Sequence, residues 1–118
     1  MSSDPAVIDL SILAGVIGDD PAKLHKFAHK FVDSTRLALA ELYECLAGED
    51  VARIRELGHR LKSAARIVGA LGMGDLCERL EKLPDQEPQA GLAQARELIE
   101  RIGPLLERIA IAIADPAP

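Results

Sequence analysis

Apolar residues recur along this chain at intervals of three and four, and apolar–polar alternation is almost absent. That period is the mark of amphipathic helices rather than strands. Asp9 is placed to cap a short apolar helix, about residues 9–17, that ends near Gly18. Asp20-Pro21 opens a long helix, since proline suits the first helical position. Its stripe is Leu24, Phe27, Ala28, Phe31, Thr35, Ala38, Leu39, Leu42 and Leu46, reaching about Ala47 before Gly48 stops it. Asp50 caps the next helix, whose stripe of Ile54, Leu57, Leu61, Ala64, Ala65 and Val68 predicts an end at Ala70 or Leu71.

Gly72 and Gly74 are expected to loosen the chain there. A shorter helix then carries Met73, Leu76, Cys77, Leu80 and Leu83, with Pro84 as its stop. Pro84 to Pro88 reads as a polar connector. The last helix carries Leu92, Ala95, Leu98, Ile99, Ile102, Leu105, Leu106, Ile109 and Ile113. Pro104 lies inside this pattern, and its missing amide proton predicts a kink or local break near Ile102. Residues 115–118 read as a frayed tail.

Four substantial helices with short connections predict an all-α, antiparallel up-and-down four-helix bundle over about residues 20–114, with the short N-terminal helix across one end. The 118 residues form a single domain that can bury a core without disulfides or metals. Aromatic content is only 3%, so the core is built of Leu, Ile, Val and Ala, as helix packing prefers.

Charge narrows the function. Net charge is −5, with a local basic cluster on the third helix as the one exception, which argues against a nucleic-acid binder. So few aromatic rings also argue against a base-stacking surface. Cys45 and Cys77 form no CxxC pair and no metal-finger spacing, so buried free thiols in a reducing compartment are expected. The first residues lack the basic and apolar regions of a signal peptide. The longest apolar run, Ile109 to Ala114, is far short of the roughly 20 residues that span a bilayer. A cytoplasmic, free-standing monomer without membrane association is expected.

The candidate chemistry centres on His59. At about 100° per residue from Leu57, the apolar set of the third helix centres near roughly 25° and His59 falls near roughly 200°, almost opposite the core. Arg55 and Lys62 lie one turn before and after it, and Arg66 two turns after, on the same face. Ser63 and Ala52 leave little bulk along the row. A neutral imidazole is a competent nucleophile near pH 7. Cations around it favour the neutral ring and would balance an acquired phosphoryl group, which brings roughly two negative charges. No Gly-rich phosphate loop and no hydrolytic partner lie nearby, so the chain would receive phosphate from a partner rather than from bound nucleotide. The bland alternative is a surface histidine on a charged face.

The run His59-Arg60-Leu61-Lys62-Ser63-Ala64-Ala65-Arg66-Ile67-Val68-Gly69-Ala70 resembles the signature of histidine-containing phosphotransfer (HPt) domains. His59, Leu61, Lys62, Ala65, Gly69 and Ala70 match in register, as do Leu76, Cys77, Leu80 and Glu81, with Met73 at a leucine position. Phe31 with Leu39 and Leu42, and the turn Gly48-Glu49-Asp50, are similar to the preceding part of the family pattern. The resemblance covers about residues 20–83. It implies a carrier without kinase activity, relaying phosphoryl groups through Nε2 of His59 between aspartates on receiver domains of response regulators and hybrid histidine kinases. It implies no cofactor on this chain, the Mg²⁺ belonging to the receiver, and a Lys62 that steadies the phosphoryl oxygens. Ser63 replaces the usual glycine and Ala64 a frequent serine. The Ser63 hydroxyl either contacts the phosphoryl group or ring or stands solvated. Gly58 replaces a frequent alanine at a cost of about 0.5–1 kcal/mol to the helix.

Other features weigh less. His25 and His29 have the i, i+4 spacing of a metal pair, but Lys26 and Lys30 oppose a cation, so no metal site is expected. The apolar first helix is expected to cover the bundle end, with a partner or dimer surface as the alternative. Glu78, Glu81, Asp85 and Glu87 read as a solvated acidic face or connector. A non-catalytic module that binds a receiver or kinase without taking phosphate is the second functional reading.

Overall fold

A computed structural model describes residues 7–114, so the expected frayed tail and the first residues fall outside the described part. The order is α1 (Leu10–Ile17), α2 (Pro21–Ala47), α3 (Val51–Val68), α4 (Leu71–Glu81) and α5 (Pro88–Ile113). Three of the five begin at an aspartate. The Asp9 carboxylate accepts from the Ser11 amide at 3.0 Å, Asp20 from Ala22 at 3.1 Å and Asp50 from Arg53 at 3.0 Å. Each satisfies an amide that the first helical turn leaves without a partner.

Helix α2 packs against α3 and α5, and α4 packs against the same two, which closes the up-and-down bundle. Leu42, Ile54, Met73, Leu80, Ile99, Ile102, Leu106 and Ile109 are fully buried inside it. Each such side chain contributes roughly 1.5–3 kcal/mol by leaving water. Phe27 departs from its expected core position and is 47% exposed. Cys45 and Cys77 are free and buried, and burial pushes the Cys77 thiol up to about 12. No helix among the described residues is long and apolar enough to cross a membrane.

α1 joins the bundle at the end where α3 finishes. Val7, Ile8 and Leu13 are buried there, and the Asp9 amide donates to the Gly69 carbonyl at 3.0 Å. Gly69 has φ +87°, and a Cβ on it would stand 2.0 Å from the Asp9 carbonyl oxygen. This left-handed residue ends α3 at Val68, short of the expected Ala70 or Leu71. The Ala70 amide closes back on the Ala65 carbonyl at 2.8 Å, a helix-ending bond that satisfies a terminal carbonyl.

Three expectations about the later helices are corrected. Gly72 and Gly74 do not loosen the chain but lie inside α4, which starts at Leu71. Burial of Met73, Cys77 and Leu80 outweighs the weak helix propensity of glycine. The helix also stops at Glu81, before Leu83 and Pro84, with Lys82 as its cap and the Leu83 amide donating back to the Leu80 carbonyl at 3.3 Å. Helix α5 runs unbroken through Pro104. Pro104 and Glu100 are both exposed, so the carbonyl that lost its amide partner faces water, while Ile99, Ile102 and Leu106 anchor the opposite side.

Candidate functional site

The buried positions of α3 are Val51, Ile54, Leu57, Gly58, Leu61, Ala65 and Val68. This face fixes the rotation of the helix, and His59 projects from the other side with its side chain 63% exposed. What touches the ring is a carboxylate rather than a ring of cations. Glu81, the last residue of α4, places Oε2 on Nδ1 of His59 and Oε1 on Nζ of Lys62. The hydrogen bond from Lys62, then that from His59, hold the Glu81 carboxyl below the usual carboxylate range, against a smaller opposing effect of burial.

An ionised carboxylate can only accept hydrogen bonds. In the neutral ring the proton therefore sits on Nδ1, and the lone pair sits on Nε2. Nε2 has no partner among the described residues. The arrangement produces an outward nucleophilic nitrogen and, behind the ring, a negative charge that can balance positive charge developing on it.

The predicted cations are each engaged by α4 or the connector after it. Arg55 donates from Nε to the Glu81 carbonyl at 3.0 Å and from Nη1 to Asp85 at 2.6 Å. Lys62 is largely buried against Glu81. Arg66 pairs with Glu78 at 3.1 Å and does not reach the imidazole. The Ser63 hydroxyl donates back to the His59 carbonyl at 3.3 Å, within its own helix. The structure thus brings Lys62 and His59 together through Glu81, while Arg55 braces the turn that carries Glu81.

The pairing of Glu78, Glu81 and Asp85 with the α3 cations is what sequence reasoning missed: Asp85 lies in the expected connector, but Glu78 and Glu81 are partly buried against α3 rather than solvated. The order of the three acids mirrors Arg66, Lys62 and Arg55 in reverse, as two antiparallel helices require. That mirrored charge pattern was the available signal. Arg60, beside His59, was also passed over; it is exposed and shows no carboxylate partner among the described residues. Gly58 finds its reason in packing, because α4 approaches it closely.

Two surface depressions involve α3, and the first is lined by the ring. One is a shallow cleft of about 290 Å³ lined by Ala52, Arg55, Glu56, His59 and Glu81. The other is a mostly apolar groove of about 270 Å³ between α2 and α3, where Phe27, Phe31, Leu61, Ala64 and Ile67 meet Lys30 and Ser34. The His25 and His29 rings meet at a tilt of 56° with centroids 4.8 Å apart, and no group of three or more metal-ligating side chains occurs among the described residues.

The site is thus one exposed, carboxylate-backed histidine on a helical bundle. The Hpt domain family matches residues 26–112, and the chain belongs to that family. It is 27% identical over 82 residues to Multistep phosphorelay regulator 1 of Schizosaccharomyces pombe, a match covering 66% of this chain and 28% of that protein's length. Its fold matches the crystal structure of histidine-containing phosphotransfer protein B from Pseudomonas aeruginosa with a TM-score of 0.76, at 22% identity, over 91% of this chain and 90% of that one.

Proposed function

We propose that this chain carries a phosphoryl group on Nε2 of His59 and relays it between aspartates of receiver domains. The Nε2 lone pair attacks the phosphorus of a receiver's aspartyl phosphate. An N–P bond forms, the P–O bond to the aspartate breaks, and the carboxylate leaves with the electron pair. The reverse step hands the group to a second receiver. The Nδ1 proton stays on the ring, and the Glu81 carboxylate compensates the positive charge that the ring gains. Lys62 acts here by holding Glu81. Arg55 braces the site and Arg66 stands apart from it. The Ser63 hydroxyl turns into its helix and leaves room for a partner.

The observation that carries this reading is the exposed ring with Glu81 on Nδ1 and Nε2 open. The partners are receiver domains of response regulators and hybrid histidine kinases, which supply the Mg²⁺. They would dock over the apolar groove of Phe27 and Ile67, with Arg60 and Lys30 facing the acidic receiver site. This proposal places the chain in the cytoplasm, as a monomer without kinase activity of its own.

Incubation with a phosphorylated receiver tests it. The wild type should acquire acid-labile label and His59→Gln should acquire none. Equal labelling of both would refute the assignment. Binding without labelling would favour a non-catalytic receiver-binding module.

A further inference from the structure

Two consecutive residues of α3 face opposite ways. His59 stands in solvent, and Gly58 is buried against α4. Glycine in mid-helix is unfavourable, so its presence calls for a cause. A Cβ on Gly58 would lie 2.8 Å from the Cys77 carbonyl oxygen, 2.8 Å from the Glu81 amide nitrogen and 2.8 Å from the Leu80 Cβ. All three atoms belong to α4. Two are backbone atoms, which cannot swing aside as the end of a long side chain can. To restore ordinary contact, α4 would have to retreat by roughly half an ångström or more.

One of those backbone atoms is the amide nitrogen of Glu81 itself. The distance between α3 and α4 at this turn therefore governs how far the Glu81 carboxylate stands from the neighbouring imidazole. Hydrogen bonds weaken quickly beyond about 3.2 Å, so a small retreat matters. Gly74, also on α4 against α3, differs: its added Cβ would meet the flexible Arg66 side chain at 3.2 Å, which can yield.

We propose that Gly58 is a positioning residue: by letting the α4 backbone rest against α3, it holds Glu81 on Nδ1 of His59 and so fixes Nε2 as the nitrogen with the lone pair. The consequence for phosphotransfer rests on the carrier reading of His59; the placement of the ring proton does not. Gly58 touches neither a phosphoryl group nor a receiver and acts through Glu81.

The test uses the full chain carrying Gly58→Ala, with Gly74→Ala as the control. Long-range ¹⁵N–¹H NMR of the ring, at about pH 8 where histidine is ordinarily neutral, should show a single Nδ1–H form in the wild type and in Gly74→Ala. Gly58→Ala should show a mixture with the Nε2–H form. Transfer from a phosphorylated receiver should slow about tenfold in Gly58→Ala, the scale set by losing an orienting partner. Glu81→Ala should slow it similarly, and the double variant should be no slower than Glu81→Ala alone. Retention of the wild-type ring form in Gly58→Ala would overturn the proposal, as would rate losses that multiply in the double variant. Failure of Gly58→Ala to fold even with trimethylamine N-oxide present would also overturn it, since Gly58 would then support the whole fold. If the wild type accepts no phosphoryl group, the carrier reading fails, and the NMR result still decides the role of Gly58.

Discussion

Glu81 ends α4 with its carboxylate against the Nδ1 of His59, across the interface between two antiparallel helices. An acidic group at a helix C-terminus meets the negative end of the helix dipole and is unfavourable there. Lys62 on the carboxylate and Arg55 on the Glu81 carbonyl offset that penalty. The position is thus maintained by two cations whose local effect is to deliver one carboxylate to one imidazole.

Removing that carboxylate should slow phosphotransfer without unfolding the bundle. Glu81→Ala is expected to lose about tenfold in the single-turnover rate, since the ring loses its orienting partner. Glu81→Gln keeps a hydrogen-bond acceptor for Nδ1 and should stay within about threefold of the wild type. Rapid-quench labelling from a phosphorylated receiver measures both.

The depressed Glu81 carboxyl also gives a pH dependence with a defined sign. A carboxyl lowered on folding stabilises the native state fully above its ordinary value of 4.5, and that contribution disappears as pH falls through the lower folded value. Glu78, lowered chiefly by its hydrogen bond from Arg66, behaves the same way. Thermal melts between pH 7 and pH 3 should show the wild type losing more stability than Glu81→Gln/Glu78→Gln over the acidic part of that range.

The two arginines that share the His59 face with Lys62 should separate by role. Arg66→Ala breaks an exposed pair with Glu78 and should change stability by about 0–1 kcal/mol, with transfer unchanged. Arg55→Ala frees the Glu81 carbonyl and Asp85, and should cost about 1 kcal/mol while also slowing transfer. Chemical denaturation and labelling of the same samples distinguish the two.

Arg60 should govern encounter rather than chemistry. Arg60→Glu places a negative charge beside the ring, where a receiver's acidic cluster must approach. The association rate with a receiver should fall and lose its acceleration at low salt, while the melting temperature stays near that of the wild type. Stopped-flow binding at several salt concentrations checks this.

Gly69→Ala should be the most destabilising of these substitutions. The backbone there is left-handed and the new Cβ would collide with the Asp9 carbonyl. Backbone strain alone costs of order 1–3 kcal/mol, and the clash adds to it. Proteolysis should then cut near α1, because that helix loses its hydrogen bond to the end of α3.

The fold was largely legible because three of the five helix starts carried their own chemistry. Asp9, Asp20-Pro21 and Asp50 mark helix starts that depend on neighbours only a few residues away. The errors fell where long-range packing overrides local preference: Gly72 and Gly74 sit in α4 because buried Met73 and Cys77 hold that helix together. The outward angle of His59 followed from the apolar stripe of its own helix. Its partner Glu81 did not, since which α4 residue faces His59 depends on the register between two helices. Gly58 and the mirrored charges of Arg55, Lys62, Arg66 with Asp85, Glu81, Glu78 encode that register, and they become readable only once the two helices are known to be neighbours.

The most direct test is the site of phosphorylation itself. The chain should be phosphorylated by a receiver and examined by ³¹P and ¹⁵N NMR, with resonances assigned through His59→Gln. A single phosphoryl group bonded to Nε2 of His59, with Nδ1 still carrying its proton, is the predicted result. A phosphoryl group on Nδ1, on His25 or His29, or on no histidine at all would contradict it.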